Sequence, residues 1–170
     1  DISFDSASLL PLLEWVANSS DVSCVAPLIY GQCGSIQLSA KHDPTFTSLL
    51  LGRFPYLKRF SVLKRYDKWH RNLDRDYFHQ CIESSYLSGC FLIIPSLYFA
   101  QIGGFCEKYF LHLEDADLVR RLSCHGRCLH NPLGAVVHRW ARGSHHSPLQ
   151  MLYLAHSLFV YMSVWGYKIF

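Results

Sequence analysis

Charged side chains are scarce in this sequence. Asp, Glu, Lys and Arg make up 17% of its 170 residues, against roughly 25% in an average globular domain. The 16 basic and 13 acidic residues leave a net charge of only +3. That is too mild for the dense basic face of a nucleic-acid binder, so no nucleic-acid partner is expected. No glycine-rich nucleotide fingerprint occurs, and the one double glycine, Gly103-Gly104, is not followed by the Lys-Ser/Thr of a phosphate loop. No serine nucleophile elbow is present either. Internal repeats and low-complexity linkers are also lacking. The opening residues Asp1-Ile2-Ser3-Phe4 show neither an initiator Met nor a secretory leader, and the expectation is that they continue a longer chain.

What the sequence has in quantity is apolar and aromatic surface. Half of its residues are apolar, which is ample to offset the entropy of ordering and excludes a disordered chain. Its 11 Phe, 10 Tyr and 4 Trp suggest a large partner surface, a sugar-binding cleft or contact with a membrane. The seven cysteines, at positions 24, 33, 81, 90, 106, 124 and 128, are odd in number and scattered, several of them in apolar runs. They read as buried free thiols in a reducing compartment.

Periodicity predicts a helix over 5–17, capped by Asp5 or Ser6, with Leu9, Leu10, Leu13 and Val16 recurring at helical spacing. A short buried strand is predicted over Val22 to Tyr30, with Pro27 at an irregularity or near an edge. Gly31 to Pro44 reads as a polar loop or hairpin. Residues 46–65 mix apolar side chains with Arg53, Lys58, Arg59, Lys64 and Arg65, and Trp69-His70-Arg71 follow. This basic, aromatic stretch suits an acidic partner, a membrane surface or a diphosphate, or is simply a solvated amphipathic helix. Tyr86 to Ile94 is predicted as a strand, Ser96 to Ile102 as a helix broken by Gly103-Gly104, and Leu118 to His125 as a helix. Cys128–Asn131 and Gly134–His138 are predicted as two short strands.

Three features carry chemistry. Glu114, Asp115 and Asp117 place three carboxylates within four residues at the opening of a helix. Such a cluster either caps the helix and favours its dipole, or faces a cation or a substrate hydroxyl, where a carboxylate is a candidate general base. His138 ends an apolar run, as a neutral-imidazole metal ligand or a hydrogen-bonded structural residue does, and His145-His146 follow a short polar loop. Cys124, His125, Cys128 and His130 raise a zinc reading, although their spacing lacks a second matching pair.

The order of these pieces is specific. Tyr86-Leu87-Ser88-Gly89-Cys90-Phe91-Leu92-Ile93-Ile94 is followed by Ile102-Gly103-Gly104-Phe105, then Glu114-Asp115, Asp117-Leu118 and Arg121, then Gly126, Pro132 and His138. This string resembles the C-terminal half of a family 2 inverting glycosyltransferase, most closely the bacterial rhamnosyltransferase branch. The resemblance runs over most of the chain, best from Tyr86 to about His146. It departs from the family pattern at Cys106, where an acidic residue is usual.

The resemblance implies an α/β chain with a partial GT-A fold: a mixed sheet flanked by helices, with the nucleotide-binding N-terminal half missing. Residues 1–148 would be the acceptor-side part of the domain, and 149–170 an apolar, aromatic C-terminal helix at a membrane interface. The function implied is transfer of a sugar, L-rhamnose from dTDP-rhamnose, to a polyprenyl-diphosphate-linked saccharide in cell-surface polysaccharide synthesis of the O-antigen type.

Carried over by position, Asp115 would be the catalytic base. Glu114, Asp117, Ser88, Gly89 and Cys90 would bind the acceptor. Asp1 and His138 would hold a divalent cation, Mg²⁺ or Mn²⁺, against the donor diphosphate. The setting implied is peripheral, at the cytoplasmic face of the bacterial inner membrane, where the basic segment Lys58 to Arg71 and residues 149–170 would meet the lipid surface. The alternative reading is a non-catalytic, membrane-associated interaction module derived from a transferase.

Overall fold

The computed structural model describes residues 2–139 and 148–170. At its centre, β2 (Val22–Tyr30) runs parallel to β7 (Arg127–His138). Eight of the nine β2 residues are buried, as expected of a strand covered on both faces. Its side chains alternate accordingly. Cys24, Ala26 and Leu28 pack with Leu118, Val119 and Leu122, whereas Val25 packs with Leu12 and Val16. The pairing slips between Ala26 and Leu28, where Pro27 has no N–H to give the ladder. β3 (Ile36–Gln37) lies antiparallel beside the end of β2. On the other side of β7, β5 (Ile82–Glu83) pairs near its start and β1 (Ile2–Ser3) at its end. This is a mixed sheet flanked by helices, the α/β architecture read from the sequence.

One layer is α1 (Ser6–Ala17). Its buried residues are Leu9, Leu12 and Val16, one face of a helix. Leu10 and Leu13, expected in that stripe, are exposed, because β7 meets the helix a third of a turn away. Gly134 is what lets the helix come so close: a Cβ there would lie 2.9 Å from Leu12 Cδ2 and 3.0 Å from Leu12 Cβ. The opposite layer is α5 (Glu114–Leu122), which buries Ala116, Leu118, Val119 and Leu122. The sequence placed the start of this helix at Leu118. It begins four residues earlier, so the acidic trio forms its first turn, where the dipole favours negative charge.

Two further expectations change. Tyr86–Ile94 is not one strand. Only β6 (Tyr86–Leu87) is extended, pairing with β4 (Ala40–Lys41), and Ile93 makes an isolated bridge to Val25. Glycine at 89 and the approach to Asp115 turn the chain between these two contacts. Conversely, the two short strands expected around Pro132 are one, β7, because its irregularity is absorbed opposite the Pro27 slip.

The basic stretch folds as α2 (Phe46–Arg53), a 3-10 turn over Pro55–Arg59, and α3 (Ser61–His70). Thr45 and Ser48 form a reciprocal capping box at the start of α2. The short helix α4 (Ser96–Gln101) ends at Gly103 and Gly104, both with φ of 73°, as a left-handed terminus requires. Finally α6 (Pro148–Trp165) buries Ser157, Tyr161 and Met162 against the domain. Among the described residues, no helix is long and apolar enough to cross a membrane. All seven cysteines are free; Cys24 and Cys128 are buried, whereas Cys33, Cys81 and Cys124 are exposed, contrary to the expectation of buried thiols.

Buried histidine gives the fold a pH dependence. His70, at the end of α3, is buried, and one ring N–H donates to the Asp43 carbonyl 3.2 Å away. Burial pushes its pKa down to about 4. In the unfolded chain an imidazole titrates near about 6.5, so between these values the unfolded state binds the proton and the native state does not. The His70 contribution is therefore complete above the unfolded value. It is lost as pH falls toward about 4, a change of roughly 3 kcal/mol. Burial also lowers His42 and His130, which adds to the same slope. Urea unfolding between pH 7 and pH 4.5 should show stability falling with acid, and His70→Gln should flatten that slope.

Candidate active site

The acidic trio divides into three environments. Asp115 turns toward the β6 turn. One of its oxygens accepts the Gly89 N–H at 2.8 Å and the Tyr86 hydroxyl at 3.4 Å, and the other accepts the Ala116 N–H at 2.9 Å. Two main-chain amides thus hold the carboxylate in one orientation, the kind of support a positioned general base needs. The approach is close enough that a Cβ on Gly89 would fall 2.7 Å from Asp115 Cβ. This is the physical reason for glycine at 89. Burial, together with the Asp115 and Glu114 carboxylates, pushes the Tyr86 hydroxyl well above its usual range, so Tyr86 stays a protonated donor.

Glu114 is half-buried, and its Oε2 is buried without a hydrogen-bond partner among the described residues. An unsatisfied buried acceptor of this kind calls for a donor from outside.

Asp117 does something different. Arg121 Nε (2.8 Å), Trp165 Nε1 (2.9 Å) and the Tyr109 hydroxyl (3.4 Å) all donate to it, and it is buried. Arg121 also donates to the Ile102 and Gly104 carbonyls at 2.9 and 2.8 Å. Asp117 therefore fastens α5 to α6 and, through Arg121, to the double-glycine turn. It does not line the cleft, which corrects its expected place in the acceptor site: its oxygens are engaged within the fold. The double glycine serves the same clamp and does not cradle a phosphate.

The residues before this helix are strained. His112 and Leu113 have φ of 70° and 63°. Side chains other than glycine rarely adopt that region, at a cost of about 1–3 kcal/mol each. Leu113 is buried, and packing holds the kink that turns α5 back toward β6.

Beside this edge lies a cleft of about 950 Å³. Tyr86, Ser88, Cys90, Lys41, His112 and His138 are among its lining residues. The structure thus brings Ser88, Cys90 and His138 onto one concave surface, with Gly89 and Asp115 immediately behind Tyr86 and Ser88. Lys41 was missed by sequence reasoning. β4 pairs it with Tyr86, and its ammonium lies 5.0 Å from that ring. Burial pushes the Lys41 pKa down, and the Asp115 carboxylate opposes the shift. No spacing signal could have found it, since its role follows from a pairing 45 residues away in sequence.

At the other end, His138 closes β7 against β3. Gln37 Nε2 donates to the His138 carbonyl at 3.0 Å, which turns its amide oxygen to His138 Nδ1, 2.8 Å away. Nδ1 is then the protonated nitrogen, and Nε2 carries the lone pair. Burial also lowers the pKa, favouring the neutral ring. A neutral imidazole oriented through its other nitrogen has the chemistry of a metal ligand. Among the described residues no three His, Cys, Asp or Glu side chains gather to hold a metal, and Asp1, His145 and His146 lie outside them.

The zinc reading is overturned. Cys128 is buried beside Ser23, His130 donates to the Tyr77 carbonyl at 2.9 Å inside the core, and Cys124 is exposed at the end of α5.

Sequence comparison now supports a family relationship with the glycosyltransferases. The chain is 29% identical, over 171 aligned residues and 96% of its length, to the N-acetylglucosaminyl-diphospho-decaprenol L-rhamnosyltransferase of Mycobacterium tuberculosis strain CDC 1551 / Oshkosh. The same figures hold for the enzyme of that name from strain ATCC 25618 / H37Rv. The chain spans about half, 52%, of the length of these curated relatives. No family model matches it.

The Gly89–Asp115 contact is directly testable. Gly89→Ala should cost about 1–3 kcal/mol in chemical denaturation through overpacking. In an Asp115→Gly background, where the Cβ it meets is gone, the same substitution should cost little.

Proposed function

We propose that this chain is the acceptor-side part of a glycosyltransferase of rhamnosyl type. It acts with inversion on a polyprenyl-diphosphate-linked saccharide, with dTDP-rhamnose as donor. The observation that supports this best is the Asp115 carboxylate, held by the Gly89 and Ala116 amides and touching Tyr86, a residue that lines the same cleft as His138. The names of the mycobacterial relatives supply the rhamnosyl group and the lipid-linked acceptor.

In this reading Asp115 takes the proton of the acceptor hydroxyl as its oxygen attacks the anomeric carbon. The bond from that carbon to the donor diphosphate breaks, and the new glycosidic bond forms on the opposite face. Tyr86 and the Gly89 amide keep the carboxylate aimed. Ser88 and Cys90 line the floor. His138 would hold a divalent cation, Mg²⁺ or Mn²⁺, together with Asp1; such a cation supplies charge to the leaving diphosphate.

The setting we infer is the cytoplasmic face of a bacterial inner membrane, in cell-surface polysaccharide synthesis of the O-antigen type. Phe54, Tyr56, Phe60 and Val62 are exposed among the exposed cations Arg59, Lys64 and Arg65. That mixture suits the interface of an anionic bilayer.

Two experiments on the protein with its donor-binding part address this reading. Asp115→Asn should reduce rhamnosyl transfer to a lipid-linked acceptor by more than about a hundredfold while leaving donor binding within twofold; turnover within a few-fold of the parent would exclude Asp115 as the base. His138→Ala should weaken cation-dependent donor binding in a titration of Mn²⁺ against fixed donor, and an unchanged cation requirement would remove His138 as a ligand.

A further inference from the structure

The same cleft carries an unbalanced set of charges away from Asp115. Lys41, Lys58 and Arg71 line it, and among its described lining residues the one carboxylate is Asp67. Asp67 is taken by Lys58 at 2.9 Å and lies 3.8 Å from Arg71. Lys41 has no ion pair among the described residues.

The fold places Lys41 and Arg71 together deliberately. The His42 N–H donates to the His70 carbonyl at 2.9 Å, joining the end of α3 to β4. The Tyr77 hydroxyl donates to the carbonyls of both Ala40 (2.7 Å) and Arg71 (3.2 Å). Asn72, in the left-handed conformation with φ of 52°, ends the helix, and its side-chain amide donates to the Ala40 carbonyl at 3.3 Å. These bonds are buried or partly buried, and they fix the two residues that carry the cations side by side. Burial pushes the Lys41 pKa down, the Asp115 carboxylate opposes it, and the Arg71 charge adds to the fall. A desolvated ammonium beside a guanidinium is uphill until an anion joins them. A lysine point charge next to an arginine fork is a pairing that suits phosphate oxygens.

The cleft also has an apolar side, lined by Leu49 of α2 and by Met151 and Leu154 of α6. A free nucleotide has no use for such a wall next to its phosphates, whereas a lipid-linked diphosphate does. We propose that Lys41 and Arg71 form a diphosphate subsite for an isoprenoid-linked acceptor, with Leu49, Met151 and Leu154 receiving the start of its hydrocarbon. This deepens the transferase reading and rests on it for the word acceptor; the diphosphate chemistry itself stands on the cleft.

The test is equilibrium binding of three probes to the 170-residue chain: inorganic pyrophosphate, farnesyl diphosphate and dTDP. Farnesyl diphosphate should bind more tightly than pyrophosphate. Lys41→Gln and Arg71→Gln should each weaken both by about tenfold, while Lys41→Arg stays within about threefold. Leu154→Ser, on the apolar side, should weaken farnesyl diphosphate by about fivefold and leave pyrophosphate unchanged.

Failure of farnesyl diphosphate to bind the parent chain, or its unchanged affinity for a folded Lys41→Gln/Arg71→Gln variant, would overturn the proposal. So would binding of dTDP, in place of farnesyl diphosphate, that depends on Lys41 and Arg71, since the cations would then serve a nucleotide. Loss of sugar transfer with these affinities intact strikes the transferase reading instead, so the two failures are distinguishable.

Discussion

The parallel pairing of β2 with β7 is the constraint from which the rest of the structure follows. A strand buried on both faces must find apolar cover above and below, and its own alternation decides which residue faces which layer. Val25 reaches α1, and Cys24, Ala26 and Leu28 reach α5. Once α5 is laid on that sheet, its N-terminal turn has only one place to go, beside the β6 turn. The carboxylate of Asp115 is brought to the Gly89 amide by packing that lies well away from both. Likewise His138 is delivered to the cleft because β7 continues past its slip opposite Pro27 and ends against Gln37.

Three neighbouring acids end up with three jobs, and the division is geometric. Successive residues of a helix point about 100° apart. In one turn, Asp115 faces the turn at Gly89, Glu114 leaves an oxygen buried without a protein partner, and Asp117 is drawn inward to Arg121, Trp165 and Tyr109. Repulsion among the three is relieved because two of them are compensated separately: by amides and the helix dipole at Asp115, and by a guanidinium at Asp117. The Arg121 clamp on the double-glycine turn then ties α4, α5 and α6 into one unit behind the site. Asp117 and Arg121 belong to the motif string because the architecture needs them, whereas Asp115 is held at the Gly89 turn beside Tyr86.

The cleft is asymmetric in the side chains that line it. His138 stands at one end with an oriented, neutral ring. The Asp115 edge lies beside Tyr86. Lys41 and Arg71 stand where β4 meets α3, next to an apolar wall. A carboxylate and an ammonium that share a tyrosine ring as a neighbour temper each other. The carboxylate opposes the downward pKa shift that burial imposes on Lys41, without forming a direct pair that would close the cation to a ligand.

Much of the frame was legible from the residues. The continuous apolar run at 22–30 marked a buried strand, the spacing of Leu9 and Val16 marked a helix, and three acids before an amphipathic stretch marked a helix start, because each of these is a local pattern with its own periodicity or dipole. The string from Tyr86 to His138 pointed to the similarity with the rhamnosyltransferases, and Ser88, Cys90 and His138 within it line the cleft. What the residues did not reveal are the facts that depend on long-range contact. Leu12 and not Leu13 faces the sheet because β7 arrives at that angle with Gly134 beneath it. Tyr86–Ile94 is broken after Leu87 and is not one continuous strand because Asp115 fills the space at Gly89. Asp117 is fastened inward because Trp165, nearly fifty residues on, reaches back to it. Lys41 acquires a role through a strand partner across the fold. Local order is written in neighbouring residues, whereas the orientation of a side chain toward a cleft is decided by which distant surface excludes water from its other faces.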